Sequence, residues 1–143
     1  MQTNANSAIE SIPFAQTLGL KLISTTLDCV IGVLDVTNDL TTGTGIMHGG
    51  AVMSLADTLG AIGTMANIPQ GAATTTIESK TNFIAGIPEG DRVKGVCIPL
   101  HLGRTTMVWQ TNVIRGDGKT AAVVTQTQLV MSTKASNSGS ENA

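Results

Sequence analysis

One run of the chain has helical periodicity sustained over four turns: Val52, Leu55, Ala56, Leu59, Ile62, Met65 and Ala66 recur at steps of three and four. This spacing predicts a helix that begins near Gly49 or Gly50 and is ended by Asn67-Ile68-Pro69-Gln70-Gly71. Its other faces are small or apolar rather than charged, so it has no ordinary solvated side and is expected to be buried nearly all round. Gly60 and Gly63 lie inside it, although a glycine costs a helix interior about 1 kcal/mol relative to alanine. They point to a wall or a partner helix pressed against the backbone.

Around this helix the pattern is that of strands. Residues 8–18 can form a short helix interrupted by Pro13 and ended at Gly19, placed to cap a sheet. Residues 20–26 and 29–37 are rich in β-branched and apolar residues and read as a hairpin or one long bent strand about Leu27-Asp28, with Gly32 as a candidate bulge. Residues 38–45 (NDLTTGTG) form a turn-rich loop that delivers the chain to the helix. Four long strand-like runs follow, at 73–84, 91–102, 105–115 and 120–133, and strands of that length can curl around a helix. Turn residues at 86–90, 103–104 and 116–119 join them, so successive strands are expected to be antiparallel neighbours. In the last run Ala121 and Val123, then Leu129 and Met131, share parity. Residues 8–132 thus read as one α+β domain, with residues 1–7 a frayed N-terminus and residues 133–143 a polar, disordered tail. No internal repeat is visible.

Composition narrows the functional classes. A chain of 143 residues can bury a core as a single domain. A net charge of −2, a pI near 5.5 and 13% charged residues leave no basic stripe to follow a phosphate backbone. Nucleic-acid binding is not expected. Cys29 and Cys97 stand apart, without CxxC or Cys/His spacing, and read as reduced thiols in a cytoplasmic protein, with no metal indicated. There is no signal-peptide pattern at the start and no apolar stretch of membrane-spanning length.

Candidate chemistry lies on the central helix. Asp57 is the sole ionisable side chain between His48 and Glu78, and its neighbours one turn away, Met53, Ser54, Gly60 and Ala61, offer no cation. A carboxylate placed there is costly unless hydrogen-bonded or protonated, which suits a chemical role. The alternative is an aspartate that reaches solvent or bonds a backbone amide.

The run His48-Gly49-Gly50-Ala51-Val52-Met53-Ser54-Leu55-Ala56-Asp57-Thr58 closely resembles the signature of the PaaI-like, 4-hydroxybenzoyl-CoA thioesterase-related acyl-CoA thioesterases. The resemblance extends from about residue 10 to 132. It takes in Pro13-Phe14-Ala15, Leu18-Gly19, the stretch 78–84 (ESKTNFI), Pro88-Glu89-Gly90-Asp91 and Gly103-Arg104-Thr105. It implies a hotdog fold, one long helix wrapped by a curved antiparallel sheet, and hydrolysis of an acyl-CoA thioester. Coenzyme A then arrives as part of the substrate and no cofactor is needed. By the same resemblance the Gly49 amide polarises the thioester carbonyl, as a helix N-terminus is suited to do. Asp57 acts as nucleophile or as general base toward water. His48 orders the loop or contacts the thioester, Gly50 lies in the same substrate-binding turn, and Thr76 matches a hydroxyl that helps place water. Three successive threonines, Thr74-Thr75-Thr76, are also ordinary strand composition. Thr42 stands where relatives often carry an amide, six residues before His48. Arg104, with Thr105, Lys80 or Lys94, could meet the coenzyme A phosphates; the alternative is a solvated arginine.

Helix geometry adds an expectation about assembly. Gly49 and Asp57 are eight residues apart, roughly 12 Å along one helix, too far for both to serve one thioester. A two-fold dimer with antiparallel helices would set Asp57 of one chain against Gly49 of the other. The resemblance implies the same obligate homodimer, often doubled to a tetramer. Two other readings compete: a non-catalytic acyl-CoA-binding module, and a hydroxyacyl-thioester dehydratase, whose histidine–acid pair the HGG run lacks.

Overall fold

The computed structural model describes residues 5–132. The N-terminal residues 1–4 and the tail from 133, where fraying and disorder were expected, lie outside the described residues. Two short helices open the chain, α1 (Ala5–Glu10) and α2 (Pro13–Leu18). The first starts three residues before the expected position. Pro13 falls at the start of α2, where its missing N–H costs nothing. Gly19, at φ 76°, ends α2 in the left-handed conformation and donates to the Ala15 and Gln16 carbonyls.

The strands β1 (Lys21–Thr26) and β2 (Cys29–Asp35) form a hairpin, and a short 3-10 turn (Asn38–Leu40) leads to the long helix α3 (Gly49–Asn67). Then come β3 (Ala73–Phe83), β4 (Arg92–Leu102), β5 (Thr106–Ile114) and β6 (Thr120–Met131). All six strands join one antiparallel sheet in the order β1-β2-β4-β5-β6-β3. The sheet curves around α3, whose Leu55, Leu59 and Ile62 pack with Val30, Leu34, Val93, Trp109 and Val113 as core. This is the expected hotdog arrangement.

Three expectations about the sheet are corrected. β3 does not neighbour β4: it lies at the sheet edge beside β6, and residues 84–91 cross over to reach β4. That crossover bonds to the loop before α3 instead of turning as a hairpin, with Met47 N–H donating to Ile87 O and Glu89 N–H to Gly45 O. Secondly, the bulge in the first hairpin falls between Leu22 and Ser24, not at Gly32. Gly32 pairs with Gly95 across β2 and β4, and together they leave a notch for Leu59. A Cβ at Gly32 would meet Leu59 Cδ2 at 2.9 Å, and one at Gly95 would meet Cδ1 at 2.6 Å. Thirdly, the inward face of β6 carries Ala122, Val124, Gln126 and Gln128. The parity shared by Val123, Leu129 and Met131 belongs to the less buried face.

The wall that Gly60 and Gly63 accommodate is the sheet. A Cβ on Gly60 would lie 2.4 Å from the Gln126 amide, and one on Gly63 would lie 2.7 Å from the Trp109 ring. Trp109 Nε1 donates to Thr64 Oγ1, which donates to the Gly60 carbonyl. The chain does not bury α3 all round, however. Gly50 and Met65 are exposed and Met53, Ser54, Asp57 and Ala61 half-buried, forming a stripe along one side.

Candidate active site

The N-terminus of α3 is built by its preceding loop. His48 is in extended conformation and caps the helix, its Nδ1 accepting from Gly50 N–H at 2.8 Å. Its carbonyl accepts from Ala51 N–H at 2.9 Å, and its own N–H donates to Leu40 O. With Nδ1 an acceptor, the neutral ring carries its proton on Nε2. His48 therefore orders the turn. Gly49 N–H donates to no other described residue, so one of the donors that a helix N-terminus leaves unpaired is available. A side chain at Gly49 would come within 3.0 Å of Phe83. Beside it is an apolar cavity of about 320 Å³, lined by Ile46, Val52, Phe83, Ile84, Ile87 and Ala121 among others.

Asp57 sits two turns further along, half-buried. The sheet, not the helix, supplies its partners. Thr76 on β3 donates from Oγ1 to Asp57 Oδ1 at 2.5 Å. Gln126 on β6 donates from Nε2 to the same oxygen at 3.3 Å and to the Asp57 carbonyl at 3.2 Å. Behind them Gln128 Nε2 donates to Thr76 Oγ1 at 2.6 Å, and Thr74 Oγ1 donates to Gln128 Oε1 at 2.9 Å. Asp57 Oδ2 accepts no bond from a described residue. No cation pairs with the carboxylate among the described residues. The β3 ladder slips between Thr76 and Glu78, an irregularity of the kind that re-aims side chains beside working sites.

The expected site residues thus fall into separate groups. His48, Gly49 and Gly50 share the helix N-terminus, and Asp57 and Thr76 are in direct contact. Thr42 is apart, its hydroxyl paired with that of Thr44 in the exposed loop. Arg104 and Thr105 are at the β4–β5 turn, where Arg104 lines a hollow with Asn67, Ile68 and Pro69 at the C-terminal end of α3. In one chain that is roughly 27 Å of helix from Gly49. Gln126, Gln128 and Thr74 were not anticipated. Their signal is a pair of glutamines at alternate positions continuing the inward parity of Ala122 and Val124. Among the described residues no group of His, Cys, Asp or Glu is arranged to hold a metal ion, and no helix is long and apolar enough to cross a membrane.

A single helix cradled by a curved six-stranded antiparallel sheet, with a glycine turn at its N-terminus and a carboxylate midway, defines a hotdog protein. The sequence profile of the thioesterase superfamily matches residues 44–122, and the chain belongs to that family. It is 35% identical over 75 residues to the 1,4-dihydroxy-2-naphthoyl-CoA hydrolase of Escherichia coli (52% of this chain and 54% of that one). It thus spans about half the length of that relative. Among solved structures it is similar to a thioesterase of Pseudomonas aeruginosa, with a TM-score of 0.86 at 25% identity, covering 92% of this chain and 96% of that one. It is likewise similar to the PaaI protein of Escherichia coli, with a TM-score of 0.80 at 26% identity, covering 88% and 89%.

Proposed function

We propose that the protein hydrolyses an acyl-CoA thioester to the free acid and coenzyme A. The observation that carries this reading is Asp57: a carboxylate on an otherwise uncharged helix, with one oxygen held by Thr76 and Gln126 and the other open. Family membership supplies thioester cleavage as the reaction class, and the name of the Escherichia coli hydrolase supports a coenzyme A ester as the leaving part. In this reading the Gly49 N–H, aligned with the positive end of α3, stabilises the oxyanion as the carbonyl is attacked. Asp57 either attacks the carbonyl carbon, giving an anhydride that water cleaves, or takes a proton from the attacking water. Both routes end with the thiolate of coenzyme A leaving and the acid released.

The span of roughly 12 Å between Gly49 and Asp57 along α3 requires that each site combine the amide of one chain with the carboxylate of another. Arg104, at the opposite end of the helix, becomes a phosphate contact under the same arrangement. The test is thiol release over a panel of aryl, short-chain and medium-chain acyl-CoAs. The best substrate should lose roughly 10²- to 10⁴-fold in kcat on Asp57→Asn, with circular dichroism unchanged. Turnover near the wild-type rate in the folded variant would sink the assignment.

A further inference from the structure

Gln128 is fully buried and Gln126 is 1% exposed, both facing the apolar helix from β6. A buried amide is costly unless bonded, and Gln126 Oε1 has no partner among the described residues. Two such residues on one face call for a reason beyond packing. The directions of their bonds supply one. A carboxylate can only accept, so the single hydroxyl proton of Thr76 is committed to Asp57 Oδ1. Thr76 Oγ1 must then accept from its other neighbour, and Gln128 presents Nε2 to it. Thr74 favours that orientation, its one hydroxyl proton shared between Gln128 Oε1 at 2.9 Å and the Leu129 carbonyl at 3.0 Å. The donors of Gln128 and Thr76 thus run in one direction, toward Asp57.

We propose that Gln128 is a positioning residue: acting through Thr76, it anchors Oδ1 of Asp57 and so makes Oδ2 the oxygen that attacks or takes the proton. This rests on the hydrolytic reading above for its catalytic consequence, but the anchoring itself can be observed without turnover. A structural role alone would have Gln128 serve Thr74 and Thr76 with no effect on the carboxylate.

The test variant is Gln128→Met, close in volume and without the amide. Thr74 retains an acceptor in the Leu129 carbonyl, 3.0 Å away, and Thr76 keeps its bond to Asp57. We expect kcat to fall about tenfold with KM within about twofold. On a Thr76→Val background the same change should alter kcat by less than about twofold, because the effect passes through the missing hydroxyl. Thr76→Ser should stay near wild type. The readout independent of activity is the Asp57 carboxyl ¹³C chemical shift at one fixed pH, which should move in Gln128→Met as the hydrogen-bond row behind Oδ1 is cut short. Thr74→Val, which frees the amide without touching Thr76, should move it the same way by less and serves if Gln128→Met does not fold. An unmoved Asp57 carboxyl resonance in the folded variant overturns the proposal, as does a kcat loss equal in both backgrounds. If the wild type releases thiol from no acyl-CoA, the hydrolytic reading fails and the carboxyl resonance alone decides the anchoring.

Discussion

At Cys97 the surroundings of a single side chain set its chemistry. Burial against β2 pushes its thiol up from 9.0 to about 12, because a thiolate is poorly solvated there. The folded state thus holds a proton that the unfolded chain gives up near pH 9. Stability from this group is complete below about pH 9 and falls as pH rises toward about 12. The chain has no tyrosine, so no phenol titrates in that window. Urea unfolding between pH 8 and 11 should show a steeper loss for the wild type than for Cys97→Ala; parallel curves would refute it. The same reasoning made Asp57 legible in the sequence, since a lone carboxylate on an apolar helix demands an explanation. Gln126 and Gln128 lacked such a mark. A glutamine on a strand is ordinary on a solvated face, and only the register of β6 reveals that these two point inward.

At the level of elements, α3 and the sheet are fitted by small residues. Gly60 gives Gln126 access to Asp57, and Gly63 gives Trp109 its place against the helix. Replacing either by alanine gains roughly 1 kcal/mol of helix propensity but forces a collision inside the core that costs about 1–3 kcal/mol, for a net loss of up to about 2 kcal/mol. The two variants should differ in activity. Both Gly60→Ala and Gly63→Ala lower Tm, and Gly60→Ala lowers kcat further because it displaces the donor to the carboxylate. Equal specific activities in thermal-shift-matched samples would show that Gln126 does not serve Asp57. The helix was legible to within a residue of its start because its apolar spacing is dense and His48-Gly49-Gly50 marks its beginning. The place of β3 was not, because sequence order favours a hairpin with β4 and the pairing with β6 depends on contacts some 50 residues apart.

For the whole molecule, the uncovered stripe of α3 and the free edge of β3 define one surface. Ile77, Phe83 and Ile84 on or beside that strand are 56%, 57% and 61% exposed in the single chain, and the carboxylate side of α3 opens toward solvent between Met53 and Ala61. A second copy related by a two-fold axis would cover such a face and supply the Gly49 amide that one chain cannot bring to its own Asp57. We expect light scattering to report a dimer or a multiple of it. Co-refolding Asp57→Asn chains with chains disabled at Gly49, for example by Gly49→Val, should restore about one working site per heterodimer. Confirmed heterodimers with no recovered activity, or an active monomer, would rule the shared site out.

The edge position of β3 also imposes an order in time. Its one partner in the sheet is β6, the last of the described strands in chain order, and closing so long a loop is a late and slow step in folding. Until Thr120–Met131 has emerged and docked, β3 is bare along both edges, a state prone to pairing with other chains, and Thr76 has no Gln128 behind it. Asp57 precedes both strands that hold it, and it takes up this orientation when β3 and β6 have docked. The orientation of Asp57 is therefore set by the same docking event that leaves β3 with one free edge instead of two.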